Sequence, residues 1–230
     1  MRKIAITQSN YIPWKGFFDS VNMVDVFVLY DDMQYTKRDW RNRNLIKSES
    51  GTKWLSIPVE VKGKYFQKIS ETRISDPLWA KQHWMTIKHT YGKSPGFQEY
   101  GAIFEELYNG NYEFLSEVNY AFIKAICDIL NIKTEIRWSS EFNLPEGKTE
   151  RLVSICEDLQ ATDYYTGAAA KAYMDETIFN AKDISVHYYD YSGYQEYEQK
   201  YPPFAHGVSI LDLLFNVGEN APAFMKTFKK

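Results

Sequence analysis

Two carboxylates, Asp31 and Asp32, close the apolar run Val26–Tyr30, and Gln34, Tyr35 and a dense basic stretch follow. An acidic pair at a strand end can hold a ribose diol, coordinate Mg²⁺ or take a proton from an attacking hydroxyl or amine. It can equally be an Asp turn that stops the strand. Mg²⁺ is the only cofactor the pair suggests, and no His or Cys spacing has the form of a metal clip. In the basic stretch Lys37-Arg38-Asp39-Trp40-Arg41-Asn42-Arg43, four of seven positions are cationic, in a chain of net charge −3. Such a run is most often a solvated face. Here it follows the acidic pair directly, and arginine forks bind phosphate oxygens bidentately. A phosphorylated small molecule or sugar is the expected partner. Interleaved Arg and Trp also suit a tRNA end, but the acidic remainder of the chain argues against broad nucleic-acid binding.

Two more blocks carry polar chemistry. Gln8, Asn10, Tyr11, Trp14 and Gly16 lie between an apolar run and a helical pattern. A strand-to-helix loop presents free N–H groups that receive phosphate or carboxylate. Its plainer reading is a tight turn with Pro13 at the helix start. Near the other end, His206, Ser209 and Asp212 flank a helix start. Ser209 suits an N-cap, and His206 titrates in the physiological range. Spacing alone does not make these three a triad, because a triad needs convergence in space. The expected site joins Gln8, Asn10, Asp32, the Lys37–Arg43 run and His206, with Asp32 or His206 as the base.

The elements that must position these groups are legible as hydrophobic patterns. Lys3–Thr7 reads as a buried strand, about Trp14–Met23 as a helix, and Val26–Tyr30 as a central strand. That is a βαβ unit and predicts adjacent parallel strands. Lys53–Val61 alternates with period two, and Phe66–Ile74 is its expected antiparallel partner; Pro58 makes it an edge strand. Helical patterns run from Asp76-Pro77 to about Tyr91 and from Ser116 to Leu130. Strand and helix then alternate: Thr134–Trp138, a helix from Thr149, Asp163–Thr166, a helix over Ala168–Phe179, Ile184–Tyr189, and a last helix over about Val208–Val217. The prediction is one α/β domain over residues 1–230. It is Rossmann-like, with a mostly parallel sheet, flanking helices and a mainly helical insertion at about 75–130.

Composition sets the bounds. Of the 230 residues, 44% are hydrophobic and 25% charged, as in ordinary globular proteins. Tyr is abundant, at 18 residues, which suits both a core and sugar or base contacts. Cys127 and Cys156 fall on apolar helical faces and read as buried thiols. No window approaches the ~20 apolar residues of a membrane span. No signal-peptide pattern opens the chain, so a cytoplasmic location is expected.

The blocks TQSNYIPWKGFF, DVFVLYDDMQYTKRDWRNRN, WLSIPV, KTERL, YYTG and HGVSILDLLFNVG occur in this order over nearly the whole chain. Together they resemble the WbqC-like family of bacterial proteins. One departure is Gln8-Ser9, where the family commonly has Gln-Pro. The resemblance implies a place in O-antigen or other surface-polysaccharide biosynthesis. It attaches no catalytic role to any residue. The basic run, the abundant aromatic residues and the implied pathway together point to a transferase that moves a glycosyl, acyl or aminoacyl group to or from a nucleotide- or lipid-linked sugar or aminosugar. The alternatives are a nucleotidylyltransferase-like enzyme and a non-catalytic pathway scaffold. The opening also looks like class I nucleotidylyltransferases. Their loop histidines have no counterpart here, since no His precedes His83.

Overall fold

Every residue of β2 (Val26–Leu29) is buried, and β2 pairs in parallel with β1 (Lys3–Thr7) in the register Ile4 to Val26 and Thr7 to Leu29. The connection is α1 (Lys15–Asn22), which buries Phe17, Phe18 and Val21 against the sheet. The expected βαβ unit is therefore present. The computed structural model describes residues 1–228. Its main sheet has five parallel strands in the order β5-β2-β1-β6-β7, with β5 at Glu135–Trp138, β6 at Asp163–Thr166 and β7 at Ser185–Tyr188. This is the Rossmann-like α/β arrangement.

Strand periodicity divides the core in two. Ala5, Phe27 and Leu29 point to one face and join α1, α2 (Trp79–Tyr91), α3 (Pro95–Tyr108), α4 (Leu115–Ile129) and α7 (Ile210–Val217). Ile4, Ile6, Val26 and Val28 point to the other and pack on α5 (Lys148–Asp158) and α6 (Glu176–Asn180). A sheet buried on both faces needs continuous apolar strands, and β1 and β2 have them. Cys127 and Cys156 belong one to each core, and burial raises both thiols, Cys127 to about 12. No helix among the described residues is long and apolar enough to cross a membrane.

Three local expectations are corrected. The alternating strand is shorter, β4 at Gly51–Ser56, and its partner is β3 at Arg43–Ser48 rather than Phe66–Ile74. The Phe66–Ile74 return contains a 3₁₀ turn and touches the extension of β4 through one bridge, Val59 to Ile74. Between Ala168 and Phe179 the helix is broken: a 3₁₀ turn over Ala168–Ala172 is followed by α6, which starts afresh because Asp175 caps the Thr177 N–H at 2.9 Å. Helix α3 carries Gly96 and Gly101 on its buried side, which hid its pattern. The Gly96 position has no room for a side chain because the Leu214 carbonyl of α7 occupies it.

The helices between β4 and β5 dock through a buried aromatic knot. The Tyr11 hydroxyl lies 2.9 Å from His83 Nδ1 and 2.6 Å from the Tyr108 hydroxyl. The rings of Trp79 and Tyr108 flank the imidazole. Burial holds the His83 pKa down at about 4, and a backbone bond to Ser56 offsets this only in part. An unfolded histidine titrates near 6.5. The unfolded chain therefore takes up a proton that the folded chain refuses. The stability that neutral His83 allows is complete above about pH 6.5 and is lost as pH falls through about 4. The full loss is about 3 kcal/mol. In urea titrations at stepped pH, His83→Gln should flatten the fall of unfolding free energy across this window. An unchanged slope would show that His83 is not its source.

Candidate functional site

In an open parallel sheet, ligands bind beyond the carboxyl ends of the strands, where the strand order reverses. Here β2 lies to one side of β1 and β6 to the other, so the reversal is at the β1–β6 seam. A cleft of about 700 Å³ opens there. Thr7 and Gln8 line it from the end of β1, Tyr30 and Met33 from the end of β2, and Thr166 and Gly167 from the end of β6. Gly147, Lys148 and Arg151 close it from the start of α5, with Tyr173 beyond the 3₁₀ turn. Arg41 reaches in from the basic run. Its lining thus carries three cationic side chains and, among the described residues, no Asp or Glu.

The start of α5 is shaped for an anion. Gly147 has φ of +100°, a backbone that a side chain would strain. Gly147 has no side chain to cap the first turn, and the one acid of that turn, Glu150, lays its carboxylate against Gly147 at the positive end of the helix dipole. Arg151 anchors the turn through an Nε bond to the Pro145 carbonyl at 2.7 Å. It also lies beside the Tyr30 hydroxyl; burial raises that group's pKa and Arg151 pulls it back.

Arg41 is held from behind by a buried carboxylate. Asp31 is 1% exposed and accepts the Ser9 N–H at 2.8 Å and the Ser9 hydroxyl at 2.7 Å. Ser9 Oγ in turn accepts from Asn119 Nδ2 at 2.9 Å, and the same amide donates to the Arg41 carbonyl at 3.0 Å. Burial raises the Asp31 pKa, opposed by Ser9 and by the charge of Arg41. Burial likewise lowers Arg41, opposed by Asp39 and Asp31. The Arg41 guanidinium donates to Asn10 Oδ1, while its buried Nε has no partner among the described residues.

Of the residues singled out by sequence, Gln8 and Arg41 line the cleft, and Asn10 supports Arg41. Asp32 stands behind the rim. It accepts from Lys68 Nζ at 2.9 Å and from Ser139 Oγ at 2.7 Å. Burial pushes its pKa up, but these two donors and the charges of Lys68 and Arg151 bring it below the usual carboxylate value. Asp31 and Asp32 thus face different partners. Among the described residues, no group of three or more His, Cys, Asp or Glu is arranged to hold a metal ion.

The remaining residues are placed elsewhere. Tyr11 is in the helical knot, and Tyr35 is buried. Trp14 covers Gly16, where any side chain would strike the indole. Gln34 donates to the Tyr65 carbonyl and Asn42 to the Ile57 carbonyl. Lys37 and Arg38 are exposed outside the cleft lining. Arg43 stacks on Trp54 at 4.1 Å. Ser209 caps α7, accepting from the Leu211 N–H at 3.2 Å. Asp212 is wholly buried and accepts from the Tyr91 and Tyr197 hydroxyls and from Gln199. His206 is exposed, 3.7 Å from Glu196, and outside the cleft lining. Sequence reasoning missed Gly147, Lys148, Arg151 and Tyr173. The uncapped Gly147-Lys148 helix start, followed by Arg151, was the available signal.

The sequence model of the WbqC-like protein family matches residues 8–224. The chain is similar to "Uncharacterized protein Rv1507c" of Mycobacterium tuberculosis (strain ATCC 25618 / H37Rv), 46% identical over 227 residues that cover 98% of each chain. No solved structure matches.

Ser9 is the joint between Asp31 and Asn119, so its hydroxyl is worth more than its size. Ser9→Ala leaves one Asp31 oxygen and one Asn119 proton without their partner. The expected loss of unfolding free energy is about 1–3 kcal/mol. It should appear in urea melts as a lower midpoint with an unchanged slope. A midpoint equal to that of the parent would remove the joint from this account.

Proposed function

The chain belongs to the WbqC-like protein family, and from that premise we propose that it is a transferase of bacterial surface-polysaccharide biosynthesis. It moves a glycosyl, acyl or aminoacyl group to or from a nucleotide- or lipid-linked sugar or aminosugar. The observation that carries this reading is the cleft at the β1–β6 seam, whose lining brings Arg41, Lys148 and Arg151 together at the start of α5, with Glu150 beside Gly147 as the nearby acid of that turn. Such a cleft favours phosphate oxygens over neutral sugars. Both kinds of sugar carrier supply phosphates. The tyrosines at its wall offer apolar faces and hydroxyls to a sugar or base. The family resemblance supplies the pathway.

In this reading the phosphates lie against the start of α5, with Arg41 opposite. Arg41 is pre-set, because Asp31, Asn10 and Asn119 fix it before a ligand arrives. Asp32 has a depressed pKa and makes a weak base near neutrality. Its part is to hold Lys68 and the field around Arg151.

Calorimetry with a panel of nucleotide sugars and a short-chain polyprenyl phosphate sugar tests the binding half. A bond from a charged donor to phosphate contributes about 1.5–3 kcal/mol. Lys148→Ala and Arg151→Ala should each weaken binding about tenfold or more. Lys148 is exposed and its removal leaves the fold intact, while Arg151→Ala also gives up the bond to the Pro145 carbonyl, so a urea melt accompanies it. Arg38→Ala should bind as the parent does. Equal affinity in Lys148→Ala, Arg151→Ala and the parent would end the phosphate reading. Mass spectrometry of incubations with a binding donor and an aminosugar acceptor tests transfer, and a donor that binds tightly yet never changes mass would end the transferase reading.

A further inference from the structure

Beside the cleft, the chain exposes two aromatic rings on a convex turn. Phe66 is 82% exposed and Tyr65 72%, and their rings pack edge to face at 4.9 Å. The turn is built rather than loose. Gly63 supplies φ of +75°, the Gln67 side chain donates to the Glu60 carbonyl at 2.7 Å, and Gln34 donates to the Tyr65 carbonyl at 2.7 Å. The stretch from Lys62 to Lys68 holds three lysines; Lys64 pairs with Glu60 and Lys68 with Asp32 at its two ends, and Lys62 is exposed with no ion pair among the described residues. It is tied to the cleft rim, because the Ile69 N–H donates to the carbonyl of Met33, a lining residue, at 2.9 Å.

We propose that the Lys62–Lys68 turn docks the protein on an anionic phospholipid bilayer, with Tyr65 and Phe66 entering the interface and the lysines meeting its phosphates. Aromatic rings favour the boundary between headgroups and chains, and nearby lysines add attraction to anionic lipid. Lys62 supplies the unpaired charge of the turn, and the exposed Lys64–Glu60 pair can exchange its acid for a lipid phosphate. A protein partner fits less well. Two rings on a convex turn bury roughly 300–500 Å² at most, short of the ~800 Å² that each side of a stable protein interface contributes. Docking here sets the cleft beside the lipid surface, where a lipid-linked substrate presents its phosphate. That last link rests on the proposed function; membrane binding does not.

Cosedimentation of the full chain with vesicles tests it. The protein should sediment with phosphatidylcholine vesicles containing phosphatidylglycerol and stay in solution with phosphatidylcholine alone. Added salt should weaken the binding. Phe66→Ser should lower it at least about tenfold, and Lys62→Glu should lower it further. Leu78→Ser removes another exposed apolar residue, 59% exposed, and should bind as the parent does. Equal sedimentation with both vesicle types, or a Phe66→Ser protein that binds like the parent, overturns the proposal. Self-association in light scattering that Phe66→Ser abolishes would also overturn it, in favour of a second copy of the chain. Calorimetry of Phe66→Ser with a soluble nucleotide sugar separates the two readings, since cleft binding should be unchanged.

Discussion

A carboxylate taken out of water must find donors or lose its charge, and Asp31 meets that demand where the most segments meet. It ends β2, takes two bonds from Ser9 after β1, and through Ser9 reaches Asn119 of α4. Its main-chain carbonyl accepts the Ser70 N–H at 3.0 Å. Its charge balances the half-buried Arg41. The segments that form the back of the cleft are thus fixed by one ionised group. An unpaired buried charge would cost far more than any of these bonds returns singly, so the arrangement holds together or fails together.

Asp212 repeats this logic at the start of α7. Two tyrosine hydroxyls and Gln199 satisfy it in a wholly buried position, where burial raises its pKa. Lys15, also buried, sits over the rings of Tyr194 and Tyr197 and donates to the Gln195 carbonyl. Burial brings its pKa down to about 8. Both look like reactive groups in a sequence. Both here hold the segment around residues 194–199 to the body of the protein. Polar residues inside apolar blocks serve architecture when every lone pair has an internal donor.

The legibility of the chain followed the same division. Strands β1 and β2 were readable because a parallel sheet covered on both faces needs continuous apolar runs. The partner of β4 was not readable. Arg43–Ser48, RNLIKS, looks like the tail of a basic loop because Arg43 stacks outward on Trp54 and the strand buries the polar Asn44 and Lys47 alongside a single apolar residue, Ile46. In the cleft, Gln8 and Arg41 sit close to the strand ends that announce them. Lys148 and Arg151 come from the helix before β6, more than a hundred residues from Arg41 in sequence. Only the strand order brings them together, and local spacing does not encode strand order.

The β1–β6 seam also fixes when the cleft can exist. Lys3 pairs with Asp163, so one wall emerges at the beginning of synthesis and the other about 160 residues later. Closing so long a loop is slow, and partner strands left waiting expose apolar edges. Strands β1 and β2 with α1 can assemble early as a local unit, but the pocket at their ends has no far wall until β6 arrives. A nascent or truncated chain that stops short of β6 would carry Gln8 and Arg41 with no Thr166 or Gly167 to face them and no strand to dock α5 against. The cleft therefore acquires its far wall only when the chain has been made through Tyr173, before β7 and α7 exist.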